Sequence, residues 1–397
     1  MEKVKYTIIE RIIVGFCVFI VIDYLGFIAQ RVWRSANLVN IDGDPVGADF
    51  SVFWTVSKLS LEGKLAEAYH VASLMNALGE AIPQKVWNGG YFIWAYPPSY
   101  SLINWPLALL DYVPAYFAWM AITFTLFFFV GRSINRYRVT PWLIAAFPGA
   151  FFCIISGQNG LLTAAVLGLG FLLLPHRPLL AGIFFGLLSM KPQVALLLPI
   201  ALIFGRQWQA FASAAITTGI LVVASILAFG VHAWLVFFEA LPEMSKAMQL
   251  QEAALDKMPS LYPFLQSLGV SGNVALFCHL VLAGVVAVVT SIAWWRSGPT
   301  RENIALVIAA GAVVAPYIFG YDMTIIGVAL LFLVRDVENM SRGERYFLIL
   351  VWFSPLLNPV FEQILGRQLG WVILIGLVYW CWRRGQSRPL VEPIGSS

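Results

Sequence analysis

The run IIVGFCVFIVIDYLGFIA, residues 12–29, decides the class of fold. It is long enough for one membrane-spanning helix, which needs roughly 20 residues. Charged residues precede the run, as they would in a signal peptide. It lacks a small-residue cleavage site, however, because Asp23-Tyr24-Leu25 interrupts it. We therefore interpret the run as a retained membrane anchor.

The composition of the whole chain extends this interpretation. Of the 397 residues, 60% are hydrophobic and only 12% are charged, whereas a soluble domain has about 25% charged residues. The surplus of apolar surface requires lipid, so the sequence predicts an all-α polytopic membrane protein. The small net charge of +4 does not point to nucleic acid, and we expect no nucleic acid partner.

The connections between the apolar runs are of two alternating kinds, and their charges predict the orientation of the chain. Lys3, Lys5 and Arg11 precede the first run, which places the N-terminus in the cytoplasm. The alternation is strict if the run from Leu179 to Phe204 is broken at Lys191-Pro192 into two short helices. It then predicts about 12 spans with both termini inside. Basic connections lie at 175–178, 205–207, 295–301, 335–345 and 383–384, and small polar ones at 156–160, 190–193, 320–322 and 358–370.

Two longer segments, residues 30–96 and 231–271, face outward in this topology. Within the first, the apolar residues between Phe50 and Glu62 have the spacing of a helix lying along the membrane surface and ended by Gly63. A second short helix is predicted over Val71 to Leu78. The run 97–111 follows two prolines and is too short to span comfortably, so we interpret it as re-entrant. The chain 1–397 is predicted to form one domain.

This topology brings polar residues from many helices to the outer membrane face. A polar cleft beside a large outer loop suits a reaction between a lipid-borne reagent and an external one. The residues that converge are Asp49, Tyr96, Gln158, Asn159, Lys191, Gln193, Tyr321, Asp322 and Glu362.

Lys191 is the most informative single residue of this set. A lysine within an apolar run costs about 2.5–3.5 kcal/mol near the bilayer centre, so it needs a partner. A lipid phosphate is one partner and the carboxylate of Asp322 is another. Position alone is equally compatible with a side chain that reaches the interface and binds nothing. Pro192 favours a broken helix, and broken helices in membranes usually line cavities.

Asp49 also has two interpretations. It directly precedes a helical pattern, so it is either a helix N-cap or a functional carboxylate. Gly157-Gln158-Asn159-Gly160 and Tyr321-Asp322 are likewise compatible with simple turns between helices.

The cysteines and histidines form no ligand pattern, and no metal site or disulfide is predicted. The cysteines all lie within apolar runs, as small buried hydrophobic residues do. These residues are Cys17, Cys153, Cys278, Cys381, His70, His176, His232 and His279.

Several short motifs, taken in their order and spacing, resemble those of glycosyltransferase family 87. These membrane proteins are similar to polyprenol-phosphate-mannose-dependent mannosyltransferases of the GT-C superfamily. The resemblance runs from about Asp49 to Trp208. Its motifs are Gly47-x-Asp49-Phe50, Tyr69, Tyr96-Pro97-Pro98, Gly157-Gln158-Asn159 and Lys191-Pro192.

The resemblance implies a GT-C-type bundle and an inverting transfer of a sugar, mannose first among the candidates, from a polyprenyl monophosphate. Asp49 matches the general base in the first outer loop. Lys191, Gln158 and Asn159 would hold the donor phosphate. The acceptor would be a lipid or a glycan outside the inner, cytoplasmic membrane. No metal and no cofactor beyond the lipid-linked donor are implied. Further candidate substrate-binding residues are Trp54, Tyr96, Gln193, Tyr321 and Asp322.

Two other classes of membrane protein share these features. A transporter or flippase of lipid-linked sugars would carry polar residues near the bilayer midplane and on both sides. A polymerase or ligase of surface polysaccharide would carry arginine-rich outer loops, whereas only Arg31, Arg34 and Arg367 are expected outside. The gathering of polar residues at one face favours the glycosyltransferase.

Overall fold

The computed structural model describes residues 7–35, 47–82, 92–250 and 258–386. Within these ranges all regular secondary structure is helical, with no strand, as predicted. The α-helices are α1 Ile8–Trp33, α2 Phe50–Leu61, α3 Val71–Ala81, α4 Ser101–Asn104, α5 Tyr112–Ile134, α6 Thr140–Ala145, α7 Pro148–Ser156, α8 Gly160–Leu173, α9 Pro178–Leu187, α10 Leu198–Phe204, α11 Trp208–Phe229, α12 Val231–Leu250, α13 Leu261–Ser267, α14 Gly272–Ser297, α15 Arg301–Val314, α16 Thr324–Leu333, α17 Arg342–Leu365 and α18 Gly370–Gln386. Short 3₁₀ helices lie at Leu65–Tyr69, Pro98–Tyr100, Trp105–Leu109, Leu188–Met190, Pro192–Val194 and Val334–Asn339.

Five of these helices are long and apolar enough to cross a membrane: α1, α5, α11, α14 and α17. Three shorter apolar helical stretches accompany them at Gly160–Leu173, Pro178–Met190 and Pro192–Phe204. The chain is therefore a membrane protein with several apolar helices, but the predicted count of about 12 spans is not confirmed. Proline and glycine divide several of the apolar runs into helices of fewer than 18 residues.

The first helix lies at the edge of the bundle. Its N-terminus is closed by a capping box, in which the Glu10 amide donates to Thr7 Oγ1 and Glu10 Oε2 accepts from the Thr7 amide. Tyr24 holds the helix against the bundle by stacking on Phe151, with ring centroids 3.9 Å apart. The apolar residues Ile8, Ile12, Phe19 and Ile22 are exposed, as expected of a helix that faces lipid.

The predicted helix after Asp49 is present as α2, but its position is not the one predicted. A helix lying on the membrane surface would expose one face, whereas ten of the 12 residues of α2 are buried. The run 97–111, α3 and α5 enclose α2. Helix α12 packs on the neighbouring 3₁₀ helix Leu65–Tyr69, where the ring centroids of Phe237 and Tyr69 lie 5.4 Å apart. The segment 231–271, predicted as an outer loop, is thus helical in its described part and packs against the segment 47–82.

The run 97–111 forms three one- to two-turn pieces and no continuous spanning helix. It packs against α2, where Ser57 Oγ donates to the Asn104 carbonyl at 2.6 Å. In return, Asn104 Nδ2 donates to the Phe53 carbonyl at 3.1 Å. These bonds hold the run beside the buried helix.

The predicted break at Lys191-Pro192 is confirmed. The chain leaves helical geometry at Lys191, with φ −136° and ψ 71°, because the following proline disfavours the α-helical conformation there. The break divides the apolar stretch into α9 and α10 and directs the Lys191 side chain into the protein interior, where it is buried.

The two kinds of connection gather at different places in the structure. Arg384 in the last basic connection binds Asp336 and Glu344 of another basic connection, each at 2.7 Å. The small polar connections instead meet through hydrogen bonds between Lys191 and Asn159 and through an ion pair between Lys191 and Asp322. The side of the membrane on which each group lies stays a prediction.

Close approach of α9 and α11 depends on two glycines one turn apart. A Cβ at Gly182 would meet the Cβ of Ser213 at 2.6 Å, and a Cβ at Gly186 would meet that of Thr217 at 2.5 Å. Small residues at this spacing let membrane helices pack backbone to backbone.

Gly182→Ala should therefore separate these helices. We expect it to lower the free energy of unfolding by about 1–3 kcal/mol through overpacking. Gly219→Ala in α11 is the matched control, because no atom lies within 4 Å of its added Cβ. Thermal unfolding in detergent, followed by tryptophan fluorescence, measures both variants. Equal shifts of Tm would contradict this account of the helix pair.

Candidate active site

A cavity of about 610 Å³ lies where the small polar connections meet. Its walls come from the end of α1, the start of α2, the chain before Pro97, the end of α7, the turn 319–321 and one face of α17. Polar side chains on these walls are Arg31, Asp49, Tyr96, Ser156, Gln158, Tyr321, Asn358, Glu362 and Gln368.

Asp49 lies on the cavity wall and does not cap α2. Its backbone is α-helical, with φ −73° and ψ −26°, whereas an N-cap residue usually has extended geometry. Its side chain makes no capping hydrogen bond to the helix. The Asp49 amide instead donates to the Ser156 carbonyl at 3.1 Å, which attaches the start of α2 to the end of α7.

Gln158 holds the Asp49 carboxylate. Gln158 Nε2 donates to Asp49 Oδ2 at 3.1 Å, and Gln158 Oε1 accepts from the Tyr96 hydroxyl at 3.2 Å. The carboxylate only accepts hydrogen bonds, so the amide NH₂ of Gln158 must face Asp49, and Oε1 is then the atom that accepts from the Tyr96 hydroxyl. Desolvation raises the pKa of Tyr96, and the charge of Asp322 acts in the same direction, so Tyr96 stays protonated and keeps donating.

The turn that carries Gln158 requires glycine. Gly157 has φ +75°, the left-handed conformation that ends α7. A Cβ at Gly157 would collide with the Cβ of Phe50 in α2, so the two segments approach closely there. This contact sets the Gln158 amide beside Asp49 and places Asn159 on the far side of the turn.

Lys191 lies behind the cavity and not on its wall. Its Nζ donates to Asn159 Oδ1 at 2.6 Å and forms an ion pair with Asp322. Asp322 Oδ2 also accepts from the Phe319 amide at 3.2 Å. Only 3% of Lys191 is exposed, so the carboxylate, one of the two partners considered for this lysine, is the one that the structure shows.

The family model for glycosyltransferase family 87 matches residues 94–318, more than half of the chain. The chain belongs to glycosyltransferase family 87. No curated protein and no solved structure matches it significantly. The match confirms the resemblance found in the motifs and continues beyond Trp208, while Asp49 precedes it. The protein is accordingly a membrane glycosyltransferase.

The cavity of this family 87 protein contains five of the ten candidate residues named from the sequence: Asp49, Tyr96, Gln158, Tyr321 and Glu362. Asn159, Lys191 and Asp322 form the buried group behind it. Gln193 is half-buried and does not line the cavity. Trp54 is turned away, with Nε1 donating to the Leu110 carbonyl at 3.0 Å and Lys58 Nζ lying 3.7 Å from its ring centroid.

Arg31 and Asn358 are cavity residues that the sequence interpretation of this glycosyltransferase did not select. Arg31 lies in the last turn of α1. Its position at the outer end of the first predicted span could have identified it from the sequence as a candidate site residue. Asn358 lies between two prolines of α17, and nothing in its local sequence distinguishes it from a loop asparagine.

The buried pair gives a test that separates a structural role of Lys191 from direct phosphate binding. Lys191→Met and Asp322→Leu each leave one charge buried and unpaired, so each should lower the free energy of unfolding by about 3–5 kcal/mol. The double variant removes both charges and should regain most of that loss. Thermal unfolding of the four proteins measures this.

Donor binding by the double variant completes that experiment. A double variant that is stable and still binds a polyprenyl-phosphate sugar would place Lys191 in the support of the site. If the double variant is stable but has lost its affinity for the donor, the result would support the assignment of Lys191 as a phosphate ligand.

Proposed function

We propose that this protein transfers a sugar, mannose first among the candidates, from a polyprenyl monophosphate to a lipid or glycan acceptor, with inversion at the anomeric carbon. The observation that carries this proposal is the Asp49 carboxylate, held by Gln158 on the wall of a cavity that also contains Arg31. The family match favours a glycosyltransferase over a flippase or a polysaccharide polymerase or ligase.

Asp49 is the proposed general base. An acceptor hydroxyl is a weak nucleophile until a carboxylate begins to take its proton. The bond from Gln158 Nε2 to Asp49 Oδ2 orients the carboxylate, and the Tyr96 hydroxyl orients the amide in turn. The acceptor oxygen would then attack the anomeric carbon from the side opposite the phosphate, in a single displacement.

Arg31 is the proposed ligand of the donor phosphate. It lies in the last turn of the first membrane helix and lines the cavity. A guanidinium can bind a phosphate through two parallel hydrogen bonds, and its fixed charge stabilises the departing polyprenyl phosphate. The charge of Lys191, in contrast, is already balanced by Asp322. Lys191 would act indirectly, through Asn159 and the turn that presents Gln158.

Aromatic side chains form the apolar part of the proposed sugar site. Trp94 and Tyr96 lie with ring centroids 4.9 Å apart, and Phe319 stacks on Tyr321 at 5.1 Å. All four line the cavity. Sugar faces carry C–H groups that pack on aromatic rings, while Gln158 and Tyr96 offer hydrogen bonds to hydroxyls.

The proposed orientation places the cavity on the outer side of the cytoplasmic membrane and the basic connections in the cytoplasm. The positive-inside tendency of Lys and Arg supports it. The pairing of Arg384 with Asp336 and Glu344 gathers two of the basic connections at one place.

Asp49→Asn tests the general base. We expect kcat for sugar transfer to fall by roughly 10²–10⁴-fold, because the amide cannot accept the proton, while donor binding persists. The assay uses purified protein in lipid nanodiscs, radiolabelled polyprenyl-phosphate mannose and a lipid or glycan extract from the host. Asp111→Asn is the matched control, since Asp111 is exposed, lies outside the cavity and forms no side-chain cap. Transfer that survives Asp49→Asn would refute the assignment.

Arg31→Gln tests the phosphate ligand. Loss of a charge-assisted hydrogen bond of about 1.5–3 kcal/mol should weaken donor binding by roughly 10- to 100-fold. Arg34→Gln is the matched control, because Arg34 has the same charge at the same helix end but does not line the cavity. Equal losses in both variants would show a general surface attraction for anionic lipid in place of a specific site.

A further inference from the structure

One end of the helix pair α15 and α16 contains arginines that the proposed chemistry does not use. The two helices pack against each other and are joined by residues 315–323, which include the turn 319–321 on the cavity wall. Arg301 begins α15 and Arg335 directly follows α16, so both lie at the other end of the pair. Helix α15 is about 21 Å long at 1.5 Å per residue, which separates these arginines from the cavity.

A shared partner brings these two arginines close together. Arg384 Nη2 lies 2.7 Å from Asp336 Oδ2, and Arg384 Nε lies 4.0 Å from Glu302 Oε1. Arg335 directly precedes the first of these carboxylates, and Arg301 directly precedes the second. Because one guanidinium contacts both carboxylates, the two preceding arginines are neighbours in space as well.

A third arginine joins them from the chain after α5. Asn135 Nδ2 donates to the Leu331 carbonyl at 3.3 Å, which attaches this chain to the last turn of α16. Arg136 follows Asn135 directly, and Arg335 lies about one helical turn beyond Leu331. Desolvation lowers the pKa of Arg335, and the charges of Arg301 and Arg136 lower it further, as cations close to it would.

The charge of this arginine cluster, Arg136, Arg301 and Arg335, is not balanced within the part of the chain that the structure describes. None of the three side chains forms a hydrogen bond or an ion pair there. The carboxylates that follow Arg301 and Arg335 are instead bound to Arg384. Like charges held close together repel one another, and a bound anion would relieve that repulsion. Arg136 and Arg335 are exposed and Arg301 is half-buried, so an anion can reach them.

A phosphate group fits this arrangement. Its oxygens accept paired hydrogen bonds from guanidinium groups, and several arginines together neutralise its charge. Arg301 lies at the N-terminus of α15, where the helix dipole also favours an anion. Basic sites at the ends of membrane helices recognise anionic lipid headgroups in this way.

We propose that Arg136, Arg301 and Arg335 form a binding site for an anionic phosphate group at the end of α15 and α16 that lies away from the cavity. The headgroup of an anionic lipid and a free phosphate ion share this chemistry, and separate probes distinguish them. A phosphate bound there would join the chain after α5 to the ends of α15 and α16 and so stabilise the bundle. This inference does not rest on the proposed glycosyl transfer.

Arg335→Gln tests the site, and Arg301→Gln is a second, independent variant. Arg342→Gln is the matched control, because Arg342 is an exposed arginine of the same basic connection as Arg335 but is not among the charges that act on it. Tryptophan fluorescence gives the Tm of each protein in nanodiscs of phosphatidylcholine, with or without phosphatidylglycerol. In phosphatidylcholine alone, Arg335→Gln should not lower the Tm, since it relieves repulsion. Phosphatidylglycerol should raise the Tm of the wild type and of Arg342→Gln more than that of Arg335→Gln or Arg301→Gln.

Native mass spectrometry of the detergent-solubilised proteins measures the affinity for phosphatidylglycerol directly. Arg335→Gln and Arg301→Gln should each weaken binding by roughly tenfold or more, because each removes a charge-assisted hydrogen bond. Arg342→Gln should bind as the wild type does. Inorganic phosphate is then added as a competitor. Displacement of the lipid would show that a free phosphate ion suffices, whereas retention of the lipid would assign the site to a lipid headgroup.

Three results would overturn the inference. Equal losses of affinity in Arg335→Gln and Arg342→Gln would show a diffuse attraction of the basic connections for anionic lipid. A wild type that binds neither phosphatidylglycerol nor inorganic phosphate would leave the cluster without a ligand of this class. A lower Tm of Arg335→Gln in phosphatidylcholine alone would show that Arg335 supports the fold without any anion.

Discussion

The buried ion pair between Lys191 and Asp322 connects the parts of the chain on which the site depends. Lys191 stands at the break between α9 and α10, and Asp322 in the turn before α16. Asn159, the third member, belongs to the turn after α7. Two charges in an apolar bundle persist only with good partners, and these three side chains provide them for one another. Because Asn159 follows Gln158 directly, the pair also positions the amide that holds Asp49.

Local sequence signals sufficed to predict several breaks and turns of this fold. Pro192 interrupts an apolar run, and Gly157 supplies a left-handed turn, so both sites could be recognised from residue type alone. The helices that follow Asp49 and His70 could be predicted from their apolar spacing. Membrane location followed from composition, whereas the number of spans did not, because it depends on how short helices assemble.

The burial of α2 could not be predicted from its pattern. The spacing of its apolar residues predicted a helix with one exposed face, but small hydroxyl side chains on the other face can form hydrogen bonds within the helix itself. Ser60 Oγ donates to the Val56 carbonyl at 2.7 Å. Such residues are compatible with burial on every side once another element covers them. That covering comes mainly from the run 97–111, together with the segment 65–81 and α5. Asn358 was missed for the same kind of reason, since its burial arises from packing against Gly370.

The distribution of paired cations explains why the phosphate role is best assigned to Arg31. A cation that is already neutralised contributes little to binding a new anion, because displacing its carboxylate leaves that carboxylate buried and unpaired. Lys191 is in this state with Asp322, and Arg384 is held by Asp336 and Glu344, with Glu302 at 4.0 Å. Arg31 lies instead on the cavity wall at the exposed end of a lipid-facing helix. Arg31 forms no ion pair with any residue that the structure describes, and within that part of the chain a lipid phosphate at the membrane surface can reach it without displacing a carboxylate. The buried pair then shapes the site, while the accessible cation binds the substrate.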